Sequence, residues 1–321
     1  MKKIDAHIHY LGDHPDCLEL FDQLELKLLN VCVAHGEEWR QRGEGWRQLA
    51  EDDRYFAWCT SFDLPDFDDS EYIERVIAQL DQDLAAGAVG CKIWKNIGME
   101  VKKPSGEYLM ADDPLFDPLY AHLQEKGVTL LAHLGEPLAC WQPLNEDNPH
   151  YGYYSVHPEW HMYGKPDFPS HQEIIDARDR LLAKFPKLRV VGAHLGSLEY
   201  DVAEIARRLD QFPNLAVDTS ARMRDLTYQD SEKVKQFFAD YQDRILFGTD
   251  IVQRQPLSDM SPEERRKKIS YFGSRYDMEM AYFESPQIVQ MGDREVQGLG
   301  LSEEILEKFY RENAVCWYPG L

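Results

Sequence analysis

Eight short apolar runs recur along this chain, and a helical pattern follows almost every one. The runs span residues 3–9 (KIDAHIH), 28–35 (LLNVCVAH), 55–63 (YFAWCTSFD), 88–94 (AVGCKIW), 128–135 (VTLLAHLG), 188–196 (LRVVGAHLG), 215–220 (LAVDTS) and 245–250 (ILFGTD). Most are almost continuously apolar, as expected of parallel strands covered by helices. Between them, residues 70–84 place Tyr72, Ile73, Val76, Ile77, Leu80 and Leu84 on one helical face, behind an acidic start. Residues 198–209 repeat the pattern with Leu198, Val202, Ile205 and Leu209, and Ser197 is the expected N-cap. Residues 302–313 close the chain with Ile305, Leu306, Phe309 and Tyr310. Eight strands each followed by a helix predict an α/β fold, a (β/α)8 TIM barrel, as a single domain over residues 1–321. A doubly wound sheet is the rival, but no Gly-rich phosphate loop follows the first strand.

Two stretches break the rhythm. Residues 136–170 are rich in Pro, His, Tyr and Trp; residues 251–300 carry SPEERRKK and an aromatic segment at 271–283. Both begin at C-terminal strand ends, where barrel enzymes work, so they read as long loop insertions after strands 5 and 8. The first is expected to form a lid or pocket wall. The second reads equally as a pocket element or a surface elaboration.

Charge and cysteine usage narrow the class. The 57 acidic residues outnumber the 35 basic ones, a formal net charge of -22. Such a surface repels phosphate backbones and anionic lipids, so neither nucleic acid nor membrane is an expected partner. A small-molecule substrate is, and homo-oligomers are compatible with the acidic surface. No apolar run approaches a membrane span, and MKKIDAHIHY lacks the apolar core of a secretory signal. The six cysteines form no CxxC pair, and several sit in apolar runs, as buried thiols in a reducing cytoplasm would.

The chemistry-bearing residues stand at strand ends. His7 and His9 are two apart, so on a strand they share a face. If Ile4, Ala6 and Ile8 face the helices, then Asp5, His7 and His9 face the barrel interior. His133 ends the fifth run, His194 the sixth and Asp250 the eighth. Four imidazoles and a carboxylate in one barrel mouth make an N/O site suited to a divalent metal, zinc first, with manganese or iron as alternatives. Asp218 reads as a structural interior carboxylate. Lys92 ends the fourth run: as plain lysine it binds an anion, and after reaction with carbon dioxide its carbamate could bridge two metals. Cys91 should point outward and pack.

DAHIH, HLGEP, GAHLGS and FGTD, with the closing EKFYRENAVCWY, resemble the amidohydrolase-related family of metal-dependent TIM-barrel proteins, from the first strand to the last helix. Its members include amide, ester and lactone hydrolases and non-oxidative decarboxylases. The resemblance implies that His7, His9, His133 and Asp250 are the ligands of a mononuclear site. His194 is then the acid–base histidine, or a second-metal ligand in a binuclear site bridged by Lys92.

These roles imply a hydrolase in which a divalent metal, one ion or two, lowers the pKa of water, Asp250 accepts its proton and His194 protonates the leaving group. A decarboxylase on the same scaffold is the nearest alternative, and a non-catalytic metal- or ligand-binding barrel the next. Trp94, Lys95, Glu136 and Arg222 are candidate substrate contacts, with Asn96 and Trp141 beside them; Arg222 and Lys95 suit a carboxylate. No GxSxG elbow and no HExxH pair is present.

Overall fold

The computed structural model describes residues 1–321. Eight parallel strands pair in sequence order: β1 (Lys3–Ile8), β2 (Leu26–Val31), β3 (Phe56–Ser61), β4 (Ala88–Ile93), β5 (Thr129–Ala132), β6 (Val190–Gly192), β7 (Leu215–Asp218) and β8 (Ile245–Leu246). Backbone hydrogen bonds join β8 and its following turn to β1: Ala6 N–H to Phe247 O (2.9 Å), Asp250 N–H to His7 O (2.8 Å) and His9 N–H to Ile251 O (3.0 Å). Each of the eight predicted runs overlaps a strand, β2 starting two residues earlier than its run, and the fold is the TIM barrel expected. The strands are shorter than the runs because the apolar pattern continues into buried loops at the C-terminal mouth.

Side chains alternate between two apolar layers. Leu28, Cys91, Leu130, Val190 and Ile245 join the large cluster shared with the helices, as predicted for Cys91. Leu29, Val31, Leu131, Val191 and Leu246 fill the barrel with Trp317 and Tyr318. The closing helix, built from Glu303–Glu307, a wider π-turn Lys308–Glu312 and Asn313–Trp317, runs past the predicted 302–313 and brings these two aromatics under the barrel. No helix is long and apolar enough to cross a membrane.

The first strand departs from simple alternation. Its register against β2 shifts by one residue between Asp5 and Ile8, a β-bulge. Ile4 and Ala6 therefore pack inside the barrel, not against the helices. Asp5 does not face the interior as expected. It points into the helix layer, accepting hydrogen bonds from Thr249 N–H (3.1 Å), the Thr249 hydroxyl and Tyr276 Oη–H (2.8 Å). The extra residue restores the phase, so that His7 reaches the central cluster.

Two other expectations are corrected. Ser197 is not a helix cap. Residues 194–197 all adopt positive φ, which delays the helix to Val202–Gln211, capped by Asp201. Residues 251–300 are not a loop: they contain a 23-residue helix, Pro262–Glu284, with a Ser261/Glu264 capping box, and a hairpin of β9 (Ile288–Met291) and β10 (Arg294–Gln297). Residues 136–170 form short helical turns, Leu138–Trp141, Tyr151–Tyr154 and Pro158–Trp160.

The Pro262–Glu284 helix is tied to the barrel by polar groups. Tyr276 bonds Asp5, and Arg275, paired with the buried Glu279 of its own helix at 2.6 Å, donates to Thr249 O at 3.5 Å. Burial lifts the Asp5 carboxyl to about 6 against its hydrogen bonds from Thr249 and Tyr276. Burial likewise lifts Glu279 to about 7, opposed by the Arg275 charge. Tyr276→Phe should lower stability by about 1–3 kcal/mol in urea denaturation, because a buried carboxylate loses a donor. Glu279 retains in the native state a proton that the unfolded chain releases above 4.5, so its contribution declines as pH rises from 4.5 to about 7. In Glu279→Gln that part of the stability–pH slope should vanish, read as denaturation midpoints across the window.

Candidate active site

Asp218, the last residue of β7, is fully buried at the centre of the mouth. Its Oδ2 lies 2.9 Å from His7 Nδ1, and its Oδ1 accepts from the backbone N–H of His194 at 2.9 Å and of Ser220 at 3.1 Å. The Ser220 hydroxyl also donates to it. Burial would raise this carboxyl, but the His7 charge and hydrogen bond hold it down to about 2. An ionised Asp218 accepts the Nδ1 proton of His7 as a hydrogen bond, which turns Nε2 toward the mouth. Asp218 is thus the structural carboxylate expected, with the specific task of orienting His7. Ser220, which touches His7 and His194 at 3.1 and 2.9 Å, escaped the sequence reading. The only signal was its place two residues beyond Asp218 in LAVDTS.

The other imidazoles are prepared in the same way. His194 Nδ1 donates to Ser220 O at 2.8 Å, and its Nε2 lies 3.2 Å from His133 Nδ1. The Nε2 of His133 is buried without a partner. His9 Nε2 lies 3.3 Å from Asp250 Oδ1. Burial pushes His133 and His194 well below the ordinary histidine value, and His9 down to about 4 despite the Asp250 hydrogen bond. All three are neutral at pH 7, the state in which an imidazole ligates a metal. Asp250 is ionised: burial alone would raise it, but the interactions led by the His9 hydrogen bond hold it far below the carboxylate range.

The backbone explains why these side chains converge. Of six non-glycine residues with positive φ, five lie in the turns after β6, β7 and β8: His194, Leu195, Ser197, Ala221 and Asp250. A left-handed residue costs about 1–2 kcal/mol, and such strain gathers at functional sites. Gly248 of FGTD permits the close approach, since a Cβ there would lie 3.1 Å from His7 Cβ and 3.3 Å from Ser220 Cβ.

One ligand atom each from His7, His9 and Asp250 falls within 4.8 Å of the others; His7, His194 and Asp218 form a second such group. Lys92 Nζ, buried, lies 3.0 Å from His7 Nε2, and burial lowers its pKa. His133 stands outside both triads and joins them through His194. The donor set and the orphaned nitrogen of His133 fit a divalent metal.

Two joined cavities open above the cluster. The larger, about 640 Å³, has walls from Trp46, Trp94, Tyr153, Arg42 and Arg254. The smaller, about 290 Å³, is lined by Glu136, His150, Tyr154 and Arg222; Lys95, His133, His194 and Asp250 border both. Residues 136–170 thus supply a wall, through Tyr153 and Tyr154. Lys95 does not offer a free charge to a substrate carboxylate, because it is paired with the buried Glu136 and lies 4.0 Å over the Trp160 ring. Arg222 is different: it is buried, and its Nε has no partner. Asn96 and Trp141 are structural, donating to the carbonyls of Ala34 and Pro169.

Comparisons with known proteins agree with this architecture. The chain superposes on a 2,6-dihydroxybenzoate decarboxylase solved with 2,6-dihydroxybenzoate (TM-score 0.56, 17% identity, 99% of each chain). It superposes equally on a dihydroxybenzoic acid decarboxylase from Polaromonas sp. JS666 with bound manganese and 2-nitroresorcinol (0.55, 17%, 99% of this chain and 96% of that one). An amidohydrolase from Burkholderia multivorans with bound zinc matches at 0.51 and 14% identity over 99% of each chain. At these identities the likeness shows the fold alone. Curated proteins give no significant match. The family model described as Amidohydrolase matches residues 4–320, so the chain belongs to the amidohydrolase family.

Proposed function

We propose that this protein is a metal-dependent hydrolase of amide, ester or lactone bonds in a small, carboxylate-bearing substrate. The observation that carries this reading is Lys92: a buried amine with no carboxylate partner, set 3.0 Å from His7 Nε2. Burial favours its neutral form, and a neutral amine adds to carbon dioxide, forming an N–C bond and releasing a proton. The resulting carbamate carries two oxygens and a negative charge where the unmodified cation would oppose a metal.

His7, His9, His133 and Asp250 would hold the ion, with His194 and the Lys92 carbamate serving a second. A bound divalent cation supplies Lewis acidity and lowers the pKa of water from 15.7 to about 7. Asp250, ionised, accepts a proton at its carboxylate. In a mononuclear site His194, its Nδ1 committed to Ser220 O, is instead free to take up a proton at Nε2 and pass it to the leaving group. Arg222 anchors the substrate carboxylate, and Trp94 and Tyr153 bound its body.

A decarboxylase is the second reading. It is favoured by the unpartnered Arg222 Nε in the chamber it shares with Asp250 and His194, which would hold a carboxylate beside two groups able to relay a proton. The resolved neighbours include decarboxylases. Carbon dioxide release from a turned-over substrate would exclude simple hydrolysis.

Elemental analysis of protein purified without chelator should find a tightly bound divalent transition metal, lost in the His7→Ala/His9→Ala double variant. About two ions per chain, with a carbamate carbon signal after ¹³C-bicarbonate labelling that Lys92→Ala lacks, is the expected outcome; no metal after reconstitution overturns the reading. Asp250→Asn should lower kcat by about 10²–10⁴-fold, the usual loss of a proton-transfer group.

A further inference from the structure

A third cavity, about 330 Å³, lies on the far side of Asp250. Asp250 and Ala221 belong both to its lining and to that of the Arg222 chamber. Its other walls come from the turn after β7, the Pro262–Glu284 helix and the β9–β10 hairpin. The 251–300 segment, ambiguous in sequence, thus builds a compartment beside the catalytic mouth.

Its lining has two chemistries. Met223, Met278 and Met291 supply a flexible, polarizable apolar surface. Arg224 and Arg294 supply charge, and both engage Tyr228: Arg224 Nε donates to the Tyr228 hydroxyl at 3.0 Å, and Arg294 Cζ lies 4.1 Å from the ring centroid. Arg294 also donates to Thr227 Oγ1 at 3.3 Å. Arg275, the third arginine, is already paired with Glu279. Neither Arg224 nor Arg294 has a carboxylate oxygen within 4.0 Å, although the chain carries 57 acidic residues against 35 basic and Asp293 stands at the hairpin tip. Two guanidinium groups gathered on one tyrosine, Arg224 exposed and Arg294 half-buried, give this end of the cavity a like-charged pair with donors free for an anion.

We propose that this cavity is a specificity subsite for a substrate tail that ends in an anion, a carboxylate or phosphate carried on an apolar stem. The stem lies along the three methionines, and the anion meets Arg224 and Arg294. The bond that reacts lies across Asp250, in the mouth. The inference rests on the hydrolytic reading for the reacting end, but the subsite can be tested without it.

The first test uses the protein as purified, labelled with ¹³C-methyl methionine, titrated with sodium hexanoate and in parallel with 1-hexanol. Hexanoate should shift the Met223, Met278 and Met291 signals saturably, and hexanol should not. Arg224→Gln/Arg294→Gln should weaken hexanoate binding about tenfold or more, and Arg294→Lys less, because lysine keeps the charge but not the fork. The signal of Met99, in the core, reports that each variant is folded. No saturable shift, or equal shifts with hexanol, overturns the proposal. The second test compares kcat/KM for esters with matched stems ending in carboxylate or methyl. A preference of about tenfold for the carboxylate, lost in the double variant through KM, is expected. Hexanoate binding without any tail preference overturns the substrate assignment and makes the site one for a separate anion. Failure of the hydrolytic reading appears elsewhere, as protein without metal whose methionine shifts remain.

Discussion

The site is organised around one buried carboxylate. Asp218 has no exposure to water, so its charge is tolerable only because donors from three strand ends converge on it. Each bond has a structural effect. The contact to His7 Nδ1 sets that ring's tautomer and turns Nε2 toward the mouth. The bonds from the His194 and Ser220 amides hold two strained turns in place. Replacing Asp218 with an apolar residue would leave those donors and a misdirected imidazole behind, so the metal-facing geometry depends on a residue that does not itself face the substrate.

Electrostatics in this mouth separate the groups by role. Burial drives His9, His133 and His194 neutral, and mutual proximity reinforces it. The same burial would neutralise Asp250, but the His9 hydrogen bond opposes it and Asp250 stays charged. A low-dielectric mouth with neutral nitrogen donors and an ionised oxygen donor binds a hard or borderline cation well. It is poorly suited to holding an unmodified ammonium, which is the physical reason Lys92 is so informative. Farther out, Lys95 and Glu136 neutralise one another and form part of the wall, while Arg222 remains without a carboxylate contact.

Much of the architecture was legible in the chain. The apolar runs and their helical intervals predicted the barrel because parallel strands buried on both faces demand nearly unbroken apolar sequence. His7, His9, His133, His194 and Asp250 stood out because a polar residue that ends such a run lies at a mouth. Two errors share one cause, local backbone geometry that simple periodicity does not encode. The bulge in β1 sent Asp5 to the helices and Ile4 and Ala6 to the interior. The left-handed turn after β6 made Ser197 part of a loop. Ser220 and the charge pairing of Lys95 depend on contacts across 26 to 213 residues, and no local pattern marks them.

Sequence alone determined the fold class, the family resemblance and the titratable residues gathered at the strand ends, because these follow from hydrophobic periodicity and from residue type at a boundary. Tertiary structure decided which ring nitrogens are already hydrogen-bonded, which carboxylate orients His7 and which borders the open cavities, and which cations are already paired. It also turned residues 251–300 into a helix and hairpin that enclose a second compartment against Asp250. Those properties are set by distances of a few ångströms between residues far apart in the chain. Burial, desolvation and hydrogen-bond direction exist only once the barrel has closed.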